Sequence, residues 1–121
     1  MITIHFDEDA CILKVKDDPG TTIDQMVLAA KNFFKSHRLP RILKILEVAS
    51  GSLATAPVAD VAKLKDVVTS IMPDFESVRH AVVSTDPFVV AFVILLQQEV
   101  CLLNYHLGVF STETAAIRWL S

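Results

Sequence analysis

The chain begins with apolar and polar residues in alternation and then changes to a helical spacing. The alternation covers residues 1–6 and, after a short polar break, residues 10–16, which predicts two half-buried strands joined as a hairpin. From Ile23 to about residue 37, apolar residues recur every three or four positions. That spacing predicts an amphipathic helix after the hairpin.

The rest of the chain repeats a strand followed by a helix. The predicted strands cover residues 42–49, 78–84 and 106–110, and the predicted helices cover residues 58–71, 87–103 and 112–120. The order is ββαβαβαβα, which predicts an α/β fold with a five-stranded mixed sheet, made of an N-terminal hairpin plus parallel strands with packing helices. No linker or repeat interrupts the pattern, so residues 1–121 are predicted to form a single domain.

The predicted helix 87–103 is unusual because it has no polar residue from Phe88 to Leu96. Such a run is apolar on every side of a helix, whereas a typical surface helix is apolar on one stripe. A small domain has few other elements with which to cover such a helix. The sequence therefore predicts that a second copy, another protein or a lipid covers part of it.

The residues of this helix are the candidates for an interface or an apolar-ligand site. They are Phe88, Val89, Phe92, Val93 and Leu96. For an interface, a charge at an outward position such as Val93 is expected to give a soluble monomer. The alternative is that flanking helices cover the run completely and that it is an ordinary core helix.

Composition and charge exclude several classes of protein. Hydrophobic residues make up 52% of the chain and charged residues 21%, and the net charge is −3 without the basic cluster that nucleic-acid binding requires. No apolar run reaches the roughly 18–20 residues of a membrane span, and no signal-peptide pattern is visible, so a cytoplasmic protein is expected. Cys11 and Cys101 lie in apolar surroundings and are predicted to be small buried hydrophobic residues, not a disulfide.

Motifs for catalysis, cofactors and metals are missing from the sequence. The four histidines fall on different predicted elements without the spacing of metal ligands, and each is expected to be structural or exposed. Three glycines in total exclude a Gly-rich phosphate loop, and there is no GxSxG nucleophile elbow. The sequence therefore predicts a protein that is not an enzyme and has no cofactor or metal.

Two segments of the second half carry a resemblance to a known family. HAVVSTDPFV resembles the strand-to-helix passage, and VFSTETAAIRWL the closing strand and helix, of the SpoIIAA-like branch of the STAS fold (sulfate transporter and anti-sigma-factor antagonist domains). This branch consists of small stand-alone bacterial domains and is grouped with the CRAL-TRIO lipid-carrier fold. The resemblance covers essentially the whole chain and implies a binding or signalling module.

The resemblance also raises the question of a phosphorylation switch. In the phosphorylated anti-sigma antagonists, a serine preceded by aspartate begins the helix after the third strand. Alignment through Glu47 puts Thr55 and Ala56 at these positions, so the phospho-acceptor is missing in register. Ser50, Ser52 or Thr55 could replace it in a regulatory loop, and the alternative is that they are ordinary loop and capping residues.

Two functions follow from these patterns. The first is a non-catalytic regulatory or protein-interaction module that self-associates, or binds a protein partner, through the apolar helix 87–103. The second is a carrier or sensor of a lipid or other apolar small molecule, with the same helix lining the site. An exposed apolar patch suffices for the first function, whereas the second needs an internal cavity of about a few hundred Å³.

Overall fold

The computed structural model describes residues 2–49 and 56–121. Its strands are β1 (Ile2–Asp7), β2 (Ile12–Asp17), β3 (Ile42–Val48), β4 (Ser77–Val83) and β5 (Tyr105–Phe110), and its helices are α1 (Ile23–Ser36), α2 (Val61–Ile71), α3 (Pro87–Glu99) and α4 (Glu113–Leu120). Short 3₁₀ turns flank α2 on both sides. The predicted order ββαβαβαβα is confirmed. The candidate regulatory residues Ser50, Ser52 and Thr55 lie outside the described part of the chain.

The five strands form one mixed sheet in which the spatial order equals the chain order, β1-β2-β3-β4-β5. β1 pairs antiparallel with β2, and the other neighbours are parallel. The prediction of an N-terminal hairpin followed by parallel strands is therefore confirmed. In the central register, Ile45 of β3 lies beside His80 of β4, and His80 lies beside Leu107 of β5.

The three helices between parallel strands share one face of the sheet. Each right-handed crossover advances by one strand in the same direction, so each places its helix on the same side. On that face, buried residues of α1, α2 and α3, such as Met26, Val68 and Phe92, belong to two apolar clusters that include residues of the sheet. α4 packs on the opposite face, where Ala116 and Leu120 are buried. The main core therefore lies between the sheet and α1–α3.

Local sequence signals explain where α3 begins. The side chain of Asp86 accepts a hydrogen bond from the Phe88 N–H at 2.8 Å, and Pro87 occupies the first turn, where no N–H is needed. The predicted start of this helix at residue 87 is therefore confirmed.

The predicted end of this helix was wrong. α3 stops at Glu99, because Val100 turns to an extended conformation while its N–H still donates to Leu96. Residues 100–104 connect α3 to β5, and Leu103 is exposed. Apolar composition extended the prediction by four residues, although Cys101, Leu102 and Leu103 follow a helix cap.

The expected burial of the cysteines was also wrong, since Cys11 and Cys101 are both exposed free thiols. β2 begins at Ile12, so Cys11 belongs to the hairpin turn, where it adopts a positive φ of 54°. Its thiol contacts the Glu8 carbonyl oxygen at 3.6 Å. Turn geometry therefore outweighs the apolar alternation that placed Cys11 in the strand.

Candidate functional site: the two faces of helix α3

The inner face of α3 forms part of the core. Its buried residues are Val89, Phe92, Val93 and Leu96. They are spaced by three, one and three positions, which is the spacing of one helical stripe. Four of the five predicted site residues therefore pack inside the molecule.

Val93 corrects an expectation of the sequence analysis. It is 1% exposed, so it is a core position and not an outward one. A charge there would be buried without a partner and would test folding, not association. Hydrophobic pattern could not distinguish the inner positions, because the outer positions are apolar too.

The outer face of α3 is exposed and apolar. Phe88 is 73% exposed and Ile94 is 42% exposed, and Ala91 between them is also exposed. The other four predicted site residues are buried. Phe88 is therefore the one of the five that is accessible enough for an interface. The surrounding elements of the described chain leave this face largely uncovered.

A groove between α2 and α3 continues this apolar surface. It has a volume of about 330 Å³, and its lining includes Val58, Ala59 and Leu95. Val58 is 69% exposed. Lys65 and Glu99 also line the groove, with Lys65 Nζ 3.7 Å from a Glu99 carboxylate oxygen. The outer face of α3 and this groove together are called the α3 patch below.

On the inner side, three polar residues from neighbouring strands form a chain. They are Glu47 on β3, His80 on β4 and Tyr105 on β5. His80 Nε2 lies 2.7 Å from Glu47 Oε1, and His80 Nδ1 lies 2.6 Å from the Tyr105 hydroxyl oxygen. Glu47 and Tyr105 are buried and His80 is nearly so.

The direction of these hydrogen bonds depends on the protons of the His80 ring. An ionised carboxylate only accepts, so His80 Nε2–H donates to Glu47. If the ring is neutral, Nδ1 accepts and the Tyr105 O–H donates to it. A doubly protonated ring would donate from both nitrogens and force the Tyr105 hydroxyl hydrogen to another acceptor.

Tyr105 keeps its proton in this environment. Burial, and secondly the negative charge of Glu47, raise the pKa of Tyr105 far above its ordinary value. A carboxylate, an imidazole and a hydroxyl therefore lie in a hydrogen-bonded row across three neighbouring strands. This row holds the Tyr105 hydroxyl at a defined point beside His80.

These three residues line an internal cavity between the sheet and helices α1–α3. The cavity measures about 100 Å³, and apolar residues such as Val68, Val82 and Val93 supply the rest of its wall. Ligand pockets for drug-sized molecules are usually about 300–1,000 Å³. The cavity is therefore too small for a lipid tail in this conformation.

This polar chain was not predicted from the sequence, because the spacing of the histidines along the chain does not show which residues meet across the sheet. The signal was present in the strand alternation. His80 shares its side of β4 with Val78 and Val82, which face the core, and Glu47 shares its side of β3 with Ile45. A polar residue at a core-facing position of an apolar strand indicates a buried partner.

The described residues contain no group of three or more His, Cys, Asp or Glu side chains placed to hold a metal ion. No helix among them has the length and apolar character needed to cross a membrane. Comparison with protein-family models, with curated proteins and with solved structures found no match to this chain.

Proposed function

We propose that this protein is a non-catalytic interaction module that self-associates through the α3 patch. The observation that carries the proposal is the exposure of Phe88 and Ile94 within a helical stretch, Phe88 to Leu96, that has no polar residue. Contiguous exposed apolar surface on a small domain marks interaction sites. The sequence-based expectations of a cytoplasmic location and of a place in the SpoIIAA-like branch belong to this proposal.

Charge at the margin of the patch favours a second copy as the partner. The groove is lined by Lys65 and Asp66 of α2 and by Glu99 of α3, so both signs of charge lie at its margin. A surface with both signs can face itself across a two-fold axis, so that the Lys65 of each copy opposes a carboxylate of the other. An apolar centre with such a polar rim is the usual anatomy of an interface.

The energy available from the patch is adequate for a modest dimer. With 73% exposure, Phe88 presents on the order of 150 Å² of apolar surface. Burying it in both copies contributes about 7 kcal/mol at 25 cal/mol per Å², before association costs of about 4–15 kcal/mol. Phe88 does not suffice by itself, and the proposal requires Ile94 and Val58 to be buried as well.

The test is a matched pair of substitutions, Ile94→Glu and Ile117→Glu. Ile117 on α4 is 45% exposed, close to the 42% of Ile94, but it lies on the opposite face of the sheet. Both changes put the same charge on a helix at the same exposure. Sedimentation velocity is expected to show a dimer for the parent chain and for Ile117→Glu, and a folded monomer for Ile94→Glu.

Two results would overturn the proposal. One is a parent chain that stays monomeric at concentrations of hundreds of micromolar, where a weak dimer would form. The other is a dimer that survives Ile94→Glu but dissociates with Ile117→Glu, which would move the interface to α4. Circular dichroism of both variants checks that the fold is retained.

The second candidate, a lipid carrier, receives less support. Its requirement is a cavity of about a few hundred Å³, and the internal cavity of about 100 Å³ does not meet it. The cavity suits a much smaller molecule, which is a separate matter from the interface.

A further inference from the structure

With His80 neutral, the polar chain at the cavity wall keeps its hydrogen-bond donors among its own members. His80 then donates its Nε2–H to Glu47 at 2.7 Å, and Tyr105 donates its O–H to His80 at 2.6 Å. The Tyr105 oxygen still has a lone pair, because a phenol oxygen accepts as well as donates. A molecule inside the cavity therefore meets an acceptor at this point of the wall.

The carboxylate holds this arrangement in place. If the His80 tautomer were reversed, an unprotonated Nε2 would face a Glu47 oxygen at 2.7 Å, two acceptors in contact. Tyr105 is thus kept from turning its O–H towards the cavity while Glu47 is ionised and His80 is neutral. The site consequently discriminates between ligands that donate a hydrogen bond and ligands that only accept one.

We propose that the cavity between the sheet and helices α1–α3 binds a small aliphatic alcohol, whose hydroxyl donates to Tyr105 and whose hydrocarbon part fills the apolar remainder. An apolar cavity of roughly 150 Å³ accommodates benzene, so one of about 100 Å³ accommodates about four or five non-hydrogen atoms. An ammonium ion of this size would lose most of its hydration in the apolar wall, which disfavours amines. This inference does not depend on self-association.

The experiment uses two ligands of five non-hydrogen atoms that differ in one property. Butan-1-ol donates and accepts a hydrogen bond, whereas butan-2-one only accepts. Both are titrated into the full-length ¹⁵N-labelled protein, and amide shifts are followed in two-dimensional NMR spectra. Saturable shifts are expected in β3, β4, β5 and α3, with butan-1-ol binding about tenfold more tightly, the factor of one hydrogen bond.

Two variants locate the binding. Tyr105→Phe keeps the ring and removes the acceptor oxygen. The alcohol and the ketone are therefore expected to bind this variant with about equal affinity. The double variant Val68→Ile/Val93→Ile adds two methylene groups to the cavity wall and is expected to abolish the saturable shifts for both ligands. Neither variant alters the α3 patch, so the oligomeric state serves as an independent control.

Equal affinity of the two ligands for the parent protein would overturn the inference, even if a variant failed to fold. So would retention of the preference in Tyr105→Phe, or unchanged saturable shifts in the double variant. If the alcohol does not bind but the protein is a dimer, the ligand proposal fails and the proposed interface is unaffected. If the alcohol binds but the protein is a monomer, the interface proposal fails and the ligand proposal is unaffected.

Discussion

At the scale of single residues, Tyr105 and its partners show what strand alternation can reveal. Tyr105 is the one tyrosine in the sequence, and its ring and hydroxyl lie in the core beside His80. Alternation indicates which side of a strand faces the core, and hence that His80 and Glu47 are buried. It does not indicate that they meet, because their separation of 33 positions along the chain is bridged by the pairing of β3 with β4.

The raised pKa of Tyr105 predicts how stability changes in alkali. The folded protein holds this proton while the unfolded chain releases it near pH 10, so stability is retained below about pH 10 and lost as pH rises above it. The contribution is about 1.4 kcal/mol per pH unit, the linkage slope for one proton.

The near-ultraviolet absorbance of tyrosinate reads this residue directly, because no other tyrosine contributes. A pH titration of the native protein is expected to show no tyrosinate until the chain unfolds, whereas the protein in concentrated urea titrates at about pH 10. Urea unfolding of Tyr105→Phe lacks the alkaline decline due to this group. A native protein that develops the tyrosinate spectrum at pH 10 would contradict the burial of the hydroxyl.

At the scale of elements, the sequence predicted every strand and helix of the described chain in the right order. Capping signals explain this success: Thr22 and Gln25 form a reciprocal capping box at the start of α1, with hydrogen bonds of 3.0 and 3.1 Å. Errors arose where composition was the guide, at the end of α3. They also arose where a turn residue extended the alternation of a strand, at Cys11.

The capping box of α1 makes a quantitative prediction. Thr22→Ala removes the acceptor for the Gln25 N–H and is expected to lower the free energy of unfolding by about 1 kcal/mol. Thr22→Ser keeps the hydroxyl and is expected to change stability by much less. Urea denaturation at neutral pH measures both, and equal losses for the two variants would show that the hydroxyl does not carry the effect.

The sequence of α3 does not show which of its faces packs on the sheet. Its inner and outer faces are both apolar, so the direction that faces the sheet is set by the strands beneath it and by the helix beside it. The interface candidate Phe88 was identified correctly as a member of the run, but its exposure follows from tertiary packing. Sequence alone left the choice between core and interface open.

At the scale of the whole molecule, the arrangement of helices determines where a partner can bind. Three helices cover one face of the sheet, and α4 packs on the other. The α3 patch lies on the outside of the three-helix layer, away from the sheet. A dimer formed there would pack the helix layer of the second copy against this one and leave the sheet unaltered.

The two-fold arrangement predicts a charge-swap pattern. Lys65→Glu brings like charges together in the rim of both copies and is expected to weaken the dimer by about threefold to tenfold, the effect of two exposed ion pairs. Lys65→Glu combined with Glu99→Lys restores opposite charges and is expected to recover most of the affinity. Sedimentation equilibrium at low ionic strength measures both variants.

A double variant as weak as the single one would exclude the arrangement in which Lys65 faces Glu99 of the second copy. High salt provides the internal control, because it screens exposed pairs and should reduce the difference between the parent and Lys65→Glu.

The agreement between strand order in space and strand order in the chain has a consequence for synthesis on the ribosome. Each new strand finds its neighbour already made, so the sheet can grow from one edge as the chain emerges, beginning with the β1–β2 hairpin. The last strand to appear, β5, also brings Tyr105. Until β5 pairs with β4, the Nδ1 of His80 lacks its hydrogen-bond partner, so the buried polar chain is completed only after this strand is made.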